Sequence, residues 1–406
     1  MRYSRLLVVP SVAVLAMSFG TPSSGQGERP RVERFTIDVP AAVLSDLDER
    51  LARTRWPDQL PGTGWNYGAD TAYLRGLIDY WQREYDWREQ ERALNRFEHY
   101  RATVDGTRIH FVHAKSRDPN AIPVLLLHGW PSTFLQMLDV IPLLTDPAAH
   151  GMPNAPSFHV VAASLPGFGF SDVPTRPGVG FATSAELMAK VMHDALGYER
   201  YGVRGSDLGG VIVRQMALLH PEQVIGVHLT GIIGAGGGAP PYTPAEQTFI
   251  DAVARVEPEL AYARLQTSKP QTLAHSLNDS PVGLAAWIVE KFRAWGDTNG
   301  DVESRFSKDE LITNLMVYWV TGTAPSSVRM YYDFVREPLK AGRVERPVGM
   351  LMSTKDLFPA APREFGERLL NVQHWVETDV GGHFLEWEEP ELVARDLQTF
   401  FGALAR

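Results

Sequence analysis

Five short apolar runs recur along the chain: PVLLLHG, FHVVAASLPG, YGVRG, VIGVHLTG and PVGMLMSTKD. Stretches with helical spacing separate most of them. A half-buried strand alternates apolar and polar residues, whereas a strand covered on both faces reads as a continuous apolar run. The runs therefore predict an α/β chain with a largely parallel central sheet between layers of helix. HYRATVDGTRIHFVHAK, which precedes them, alternates around an Asp-Gly turn and predicts a β-hairpin. With 406 residues there is ample chain for one large core plus insertions. A formal net charge of −9 argues against a nucleic-acid or anionic-membrane partner, since either needs clustered positive charge. Cysteine is absent, which rules out disulfides, thiolate catalysis and cysteine-ligated metal and leaves the redox compartment open.

The flanks of the sheet pattern differ in character. Residues 1–25 combine a basic start (MRYSR), an apolar run (LLVVPSVAVLAMSFG) and a small polar tail, the layout of a secretory signal peptide. This implies a secreted or periplasmic protein, with an uncleaved N-terminal anchor as the alternative. The apolar run is short for a bilayer span, which needs roughly twenty residues, so stable membrane insertion is not expected. Residues 32–100 read as a helical arm: Leu44, Leu47 and Leu51 share one helix face in LSDLDERLARTRWP. Core sequence follows over 101–235. Polar, helix-like sequence then fills 236–345 before the last strand, at Val348, resumes the core over 346–406. An insertion of that size predicts a helical cap after the sixth core strand.

The run YGVRG leads directly into SDLGGVIVRQMALLHP, a strand, a glycine-flanked turn and a helix. That is the form of a nucleophile elbow, in which G-x-S-x-G normally presents serine. Here Asp207 stands in the middle, framed by Gly205 and Gly209. A serine attacking saturated carbon would form an ether that water does not cleave at a useful rate. A carboxylate forms an ester, whose carbonyl belongs to the enzyme and is open to attack by activated water. An ordinary aspartate, with a pKa of about 3.9, is also already ionised at neutral pH. Asp207 thus points to displacement at sp³ carbon, with an epoxide oxygen or a halide as leaving group. The competing reading is a plain helix cap.

Two further motifs bear on that choice. HGWP, His128–Pro131, ends a strand in a turn able to aim backbone N–H groups at a developing oxyanion. The N–H groups of Trp130 and of Leu208, next to the nucleophile, are the expected donors. His128 reads as a structural histidine behind the turn, and LPGFGFSD as a tight turn shaping the same loop. VGGHFLEWEEPE presents His383 after two glycines. Triads of this elbow type run nucleophile, acid, histidine, so the acid should precede His383 at a strand end, where Asp356 stands. Asp379, four residues before His383 on the same loop, is poorly placed to reach the far ring nitrogen. A zinc site at His383 and Glu386 lacks the HExxH pattern and a third histidine.

Taken together, these stretches resemble the epoxide hydrolases of the microsomal and juvenile-hormone type, an α/β-hydrolase fold preceded by a helical arm. RLARTRWPDQLPGTGWNYG and YWQREYDWREQERALN carry the resemblance in the arm, LNDSPVGLAAWIVEKFRAWGD and YWVTGTAPSSVRMYYDF in the insertion, and GGHFLEWEEPELVARDLQTFF at the end. The resemblance implies Asp207 as nucleophile, His383 as water-activating base and Asp356 as the acid that orients it. It also implies two cap tyrosines that hold and protonate the epoxide oxygen, matching Tyr262 and Tyr331. Adjacent Tyr332 competes with Tyr331, because a helix turns only one of the pair inward, and Tyr318 reads as core packing. No cofactor and no metal are implied. The partners are water and a small apolar epoxide, and self-association is left open. The nearest alternative is haloalkane dehalogenase chemistry, which shares the Asp nucleophile but needs no paired tyrosines. A non-catalytic binding module of the same fold is the alternative outside enzymes.

Overall fold

The computed structural model describes residues 29–232 and 240–404. The expected signal segment, and part of the glycine-rich loop after Gly231, lie outside the described residues. The described strands are β1 (Val32–Phe35), β2 (His99–Val104), β3 (Thr107–Ala114), β4 (Ile122–Leu127), β5 (Phe158–Ala163), β6 (Tyr201–Gly205), β7 (Val224–Leu229), β8 (Val344–Ser353) and β9 (Leu370–Thr378). They form one sheet in the order β1-β2-β3-β5-β4-β6-β7-β8-β9. The β1–β2, β2–β3 and β3–β5 pairs are antiparallel, and from β5 to β9 the sheet is parallel. The apolar runs supply the centre: Val124 to Leu127, Val160, Val161 and Val203 are fully buried.

From β4 the chain crosses to β5 on one side and to β6 on the other. Between β4 and β6 lies the switch point at whose strand ends open α/β sheets place their sites. The register pairs Leu127 with Gly205 and Gly205 with Leu229. This sets the HGWP turn, the elbow and the end of β7 side by side.

The arm differs in part from expectation. It opens with β1, an edge strand paired to β2, before helices α1 (Ala41–Ala52), α2 (Thr71–Arg83) and α3 (Trp87–Leu94). Asp70 and Asp86 cap α2 and α3 by accepting from Ala72 N and Arg88 N. Leu47, Leu51, Leu77, Ile78, Trp81 and Trp87 are buried in the common core, each such side chain contributing about 1.5–3 kcal/mol. Helices α4 (Val140–Thr145), α5 (Phe181–Lys190) and α6 (Asp207–Leu219) connect the core strands.

Between β7 and β8 lie α7 (Pro244–Arg255), α8 (Ala261–Ser268), α9 (Pro270–Asp279), α10 (Pro281–Trp295), α11 (Lys308–Thr321) and α12 (Ala324–Phe334). Capping boxes Thr243–Glu246 and Ser307–Glu310 start α7 and α11. The strand at Val348 is not the last. Helix α13 (Arg363–Glu367) leads to β9 at the sheet edge, and α14 (Leu385–Glu388) and α15 (Pro390–Leu404) close the chain. Strand β2 begins just inside the range expected for the arm, and β8 just inside that expected for the cap.

The inserted helices are tied to both neighbours. Tyr80 donates to Asp309 Oδ1 at 2.9 Å and Arg50 to the Asp279 carbonyl at 2.9 Å, joining arm and insertion. Asn314 and Tyr318 donate to the carbonyls of Pro131 and Ser132, at 2.9 and 2.8 Å, so α11 grips the HGWP turn itself. No described helix is long and apolar enough to cross a membrane.

Candidate active site

Strand β6 ends at Gly205, Ser206 is extended, and Asp207 opens α6 with φ at +47°. Few non-glycine residues adopt this left-handed backbone, and it holds the side chain clear of the strand–helix turn. Close backbone packing explains the glycines. A Cβ at Gly205 would lie 2.3 Å from the Gly209 backbone, and one at Gly209 would lie 2.3 Å from the Leu127 carbonyl. The carboxylate does not cap α6. Its Oδ1 accepts the Trp130 N–H at 2.9 Å, across Gly129, where a Cβ would overlap the Asp207 side chain. Leu208, the other expected donor, is buried in the first turn of α6, and its N–H forms no hydrogen bond to that carboxylate.

His383 is buried, with Nε2 3.5 Å from Asp207 Oδ2 and Nδ1 2.9 Å from Asp356 Oδ1. Asp356 lies in the turn after β8, while Asp379 is exposed. The histidine loop is locked from behind. His383 N donates to the Trp295 carbonyl at 2.9 Å, and Gly382 lies so close to the 295–297 backbone that no Cβ fits. Glu388 accepts from Phe384 N and Asp297 N at 3.0 and 2.7 Å. Burial alone would disfavour the charged ring, but the Asp356 and Asp207 carboxylates outweigh it and hold the His383 pKa well above its ordinary value.

His128 is buried, Nδ1 facing the Gly129 carbonyl at 2.8 Å and Nε2 accepting from Leu165 N at 3.3 Å. Burial pushes its pKa down to about 4, so it is a neutral structural ring. The LPGFGFSD turn supplies that Leu165 N–H, and its Gly167 carbonyl accepts from Ser326 of α12 at 2.5 Å.

Tyr262 of α8 stacks on the Trp130 ring with centroids 5.0 Å apart, and Tyr331 of α12 meets the same ring edge-on at 6.0 Å. The two phenol rings are 6.1 Å apart. Both are buried, whereas Tyr332 is 40% exposed under the Arg336 guanidinium. Burial, then the Asp207 carboxylate, raises the Tyr262 pKa, and burial first of all raises that of Tyr331, so both phenols stay protonated. Tyr318 is spent on the Ser132 carbonyl. A cavity of about 310 Å³ borders Asp207 at the ends of β7 and β8, its wall including His383, Phe249, Ile250, Met352 and Phe358.

Residues 32–137 match the model described as "Epoxide hydrolase N terminus", and residues 122–318 the one described as "alpha/beta hydrolase fold". A Stigmatella aurantiaca protein, named provisionally as an epoxide hydrolase, is 42% identical over 91% of this chain and 84% of its own. Epoxide hydrolase 1 of Oryctolagus cuniculus is 33% identical, covering 94% of this chain and 92% of its own. The chain belongs to the epoxide hydrolase family. Its fold is the α/β-hydrolase fold. The crystal structure of juvenile hormone epoxide hydrolase from Bombyx mori superposes with a TM-score of 0.84 at 29% identity, over 95% of this chain and 97% of that one. Aspergillus niger epoxide hydrolase gives 0.79 at 27%, over 92% and 97%.

Several features of this epoxide hydrolase were not singled out in the sequence. Trp295 packs against both Tyr262 and His383, with centroids 5.1 and 5.2 Å away, from a helix without special spacing. Glu388, and Glu386, which the sequence raised only as a zinc ligand, are buried acids in the acidic run after His383. Only their contacts distinguish them.

Proposed function

We propose that this protein hydrolyses an epoxide to a vicinal diol through an ester on Asp207. One observation carries the reading: a single carboxylate lies between a buried imidazole and a backbone N–H whose own ring supports two buried phenols. In the first step an Asp207 oxygen attacks a ring carbon. The carbon–oxygen bond breaks, and the departing oxygen takes a proton from Tyr262 or Tyr331. An alkoxide is a far stronger base than phenolate, so a protonated phenol can supply it.

In the second step His383 takes a proton from water, and the resulting hydroxide attacks the Asp207 carboxyl carbon. The charge that develops on the carboxyl oxygen meets the Trp130 N–H, which already donates to Asp207 Oδ1. Collapse expels the diol oxygen, which takes the proton from His383. Asp207 is left as a carboxylic acid holding one oxygen from water. It regains its carboxylate by giving up that proton, which restores through solvent the phenol deprotonated in the first step. Asp356 keeps the His383 ring oriented and stabilises its transient charge. The buried tyrosine pair on the Trp130 ring and an apolar cavity bordered by Asp207 support a substrate whose oxygen faces the phenols. Its apolar substituent, of moderate size, then lies among Phe249, Ile250, Met352 and Phe358.

Single turnover in ¹⁸O-water tests this. Label should enter Asp207 in the first turnover and diol only in later ones, and His383→Gln should trap the ester. Label going straight into the first diol, with none in residue 207, would refute the covalent route. The basic-then-apolar N-terminal segment supports export as part of the same reading, and the N-terminal sequence of the mature protein checks it.

A further inference from the structure

A chain of buried polar groups adjoins the elbow and takes no part in the steps above. Arg204 and Glu386 are both fully buried, with Arg204 Nη2 2.9 Å from Glu386 Oε1. The other oxygen, Glu386 Oε2, accepts from Gln136 Nε2 at 2.6 Å, and that same nitrogen lies 3.5 Å from Ser206 Oγ. Arg204 Nη1 meets His228 Nδ1 at 2.5 Å, and His228 Nε2 meets Asp396 Oδ2 at 2.7 Å. Asp396 Oδ1 then meets His374 Nε2 at 2.7 Å. The guanidinium is thus held from two directions. Since His228 accepts from Arg204 at Nδ1, it donates to Asp396 from Nε2 and is neutral.

The sequence positions of these groups suggest their use. Glu386 lies on α14, three residues after His383 in the loop that leads into that helix. Arg204 is on β6, three residues before Asp207. Gln136 stands in the short helix Phe134–Met137 that continues the HGWP turn of Trp130. One carboxylate therefore joins the three segments that bear the base, the nucleophile and the oxyanion N–H. Stability is a weak reason for it, because a fully buried ion pair is often matched or bettered by apolar side chains of similar volume.

We propose that Glu386 is a positioning residue for hydrolysis of the Asp207 ester, fixing His383 and Trp130 relative to the carboxyl carbon. The proposal rests on the reading of Asp207 and His383 given above. Ester formation needs the nucleophile and the phenols. Hydrolysis alone needs base, carboxyl carbon and oxyanion donor aligned at once, so a loosened link should act on that step.

The test is rapid-quench single-turnover kinetics with styrene oxide as probe, on wild type, Gln136→Met and Arg204→Met/Glu386→Leu. The double variant removes both charges together, and Gln136→Met leaves the ion pair intact should the double variant fold poorly. Ester formation should stay within about threefold of wild type while its hydrolysis slows by roughly 10- to 100-fold in the double variant. Gln136→Met should show the same pattern at lower amplitude. Because ester accumulates, kcat and KM should fall together and leave kcat/KM nearly unchanged, which a generally disordered site would not do. Hydrolysis at the wild-type rate in a folded double variant, or in Gln136→Met if the double variant does not fold, overturns the proposal. So does an equal loss in both steps. A wild type that forms no ester on Asp207 overturns the functional reading itself, a result visible before any variant is compared.

Discussion

Asp207 sits at a backbone angle that costs a non-glycine residue about 1–3 kcal/mol, and the contact of Gly205 and Gly209 with neighbouring backbone maintains it. Its charge also sets the state of the base. Two carboxylates hold the His383 pKa up, and in the proposed reaction one of them loses its charge when the ester forms. The imidazole is then easier to find neutral, when a base is required. Asp356→Asn removes the other carboxylate, so the acid limb of the kcat–pH profile should move to lower pH. The plateau should drop at least tenfold, because the ring also loses its orienting partner. A limb that stays in place or moves upward would show that Asp356 does not face the working imidazole. Among the phenols, Tyr331→Phe should slow ester formation by about 10- to 100-fold and Tyr332→Phe by less than twofold, since Tyr332 lies outside under Arg336. Stopped-flow measurement of the alkylation phase separates them.

At the scale of elements, α7 is unusual in where it spends its apolar face. Glu246 is its one buried residue, and Phe249, Ile250 and Val253 face the cavity instead of a packed core. The helix is held from its first turn, where Glu246 Oε2 receives Arg368 Nη2 at 2.7 Å, by a group on the segment between α13 and β9. Its inner face can therefore vary without unpacking the sheet. Phe249→Ala should raise kcat/KM for a bulky epoxide relative to a small one by about tenfold, with little change in Tm. Competition between the two epoxides measures the ratio, and an unchanged ratio would remove α7 from the substrate's surroundings. Little of this was visible in advance, because helical spacing marks an apolar face without saying whether core or cavity meets it.

For the molecule as a whole, burial of neutral histidine sets the response to acid. Burial lowers the pKa of His99 and His110, and brings those of His113, His128 and His228 to about 4. Below about 6.5 the unfolded chain binds protons that these rings refuse, so their contribution is full above that pH and lost as pH falls toward 4. Each ring acts at about 1.4 kcal/mol per pH unit over its window. His374 and His383 are shifted upward and oppose this, gaining at low pH what they lose as pH rises through their folded values. The lowered rings outnumber them. Calorimetry should show Tm falling by several degrees between pH 7 and 5, and a flat profile would mean that these rings take up protons in the folded state.

Composition and local pattern sufficed for the parallel centre of the sheet, the hairpin, the elbow and the order Asp207, Asp356, His383. Continuous apolar runs and glycine-bounded turns are local consequences of burial on both faces and of close backbone approach. The edge strands were not legible: β1 is four residues long, and β9 carries Asn371, Gln373 and His374, because an edge needs no unbroken apolar run. Which tyrosine of the 331–332 pair turns inward, which acids of the final acidic run are buried, and how Arg204, Glu386 and Gln136 meet were decided by tertiary structure alone. These depend on contacts between segments up to 250 residues apart, and nothing within any one segment marks a side chain for a partner that only folding brings near.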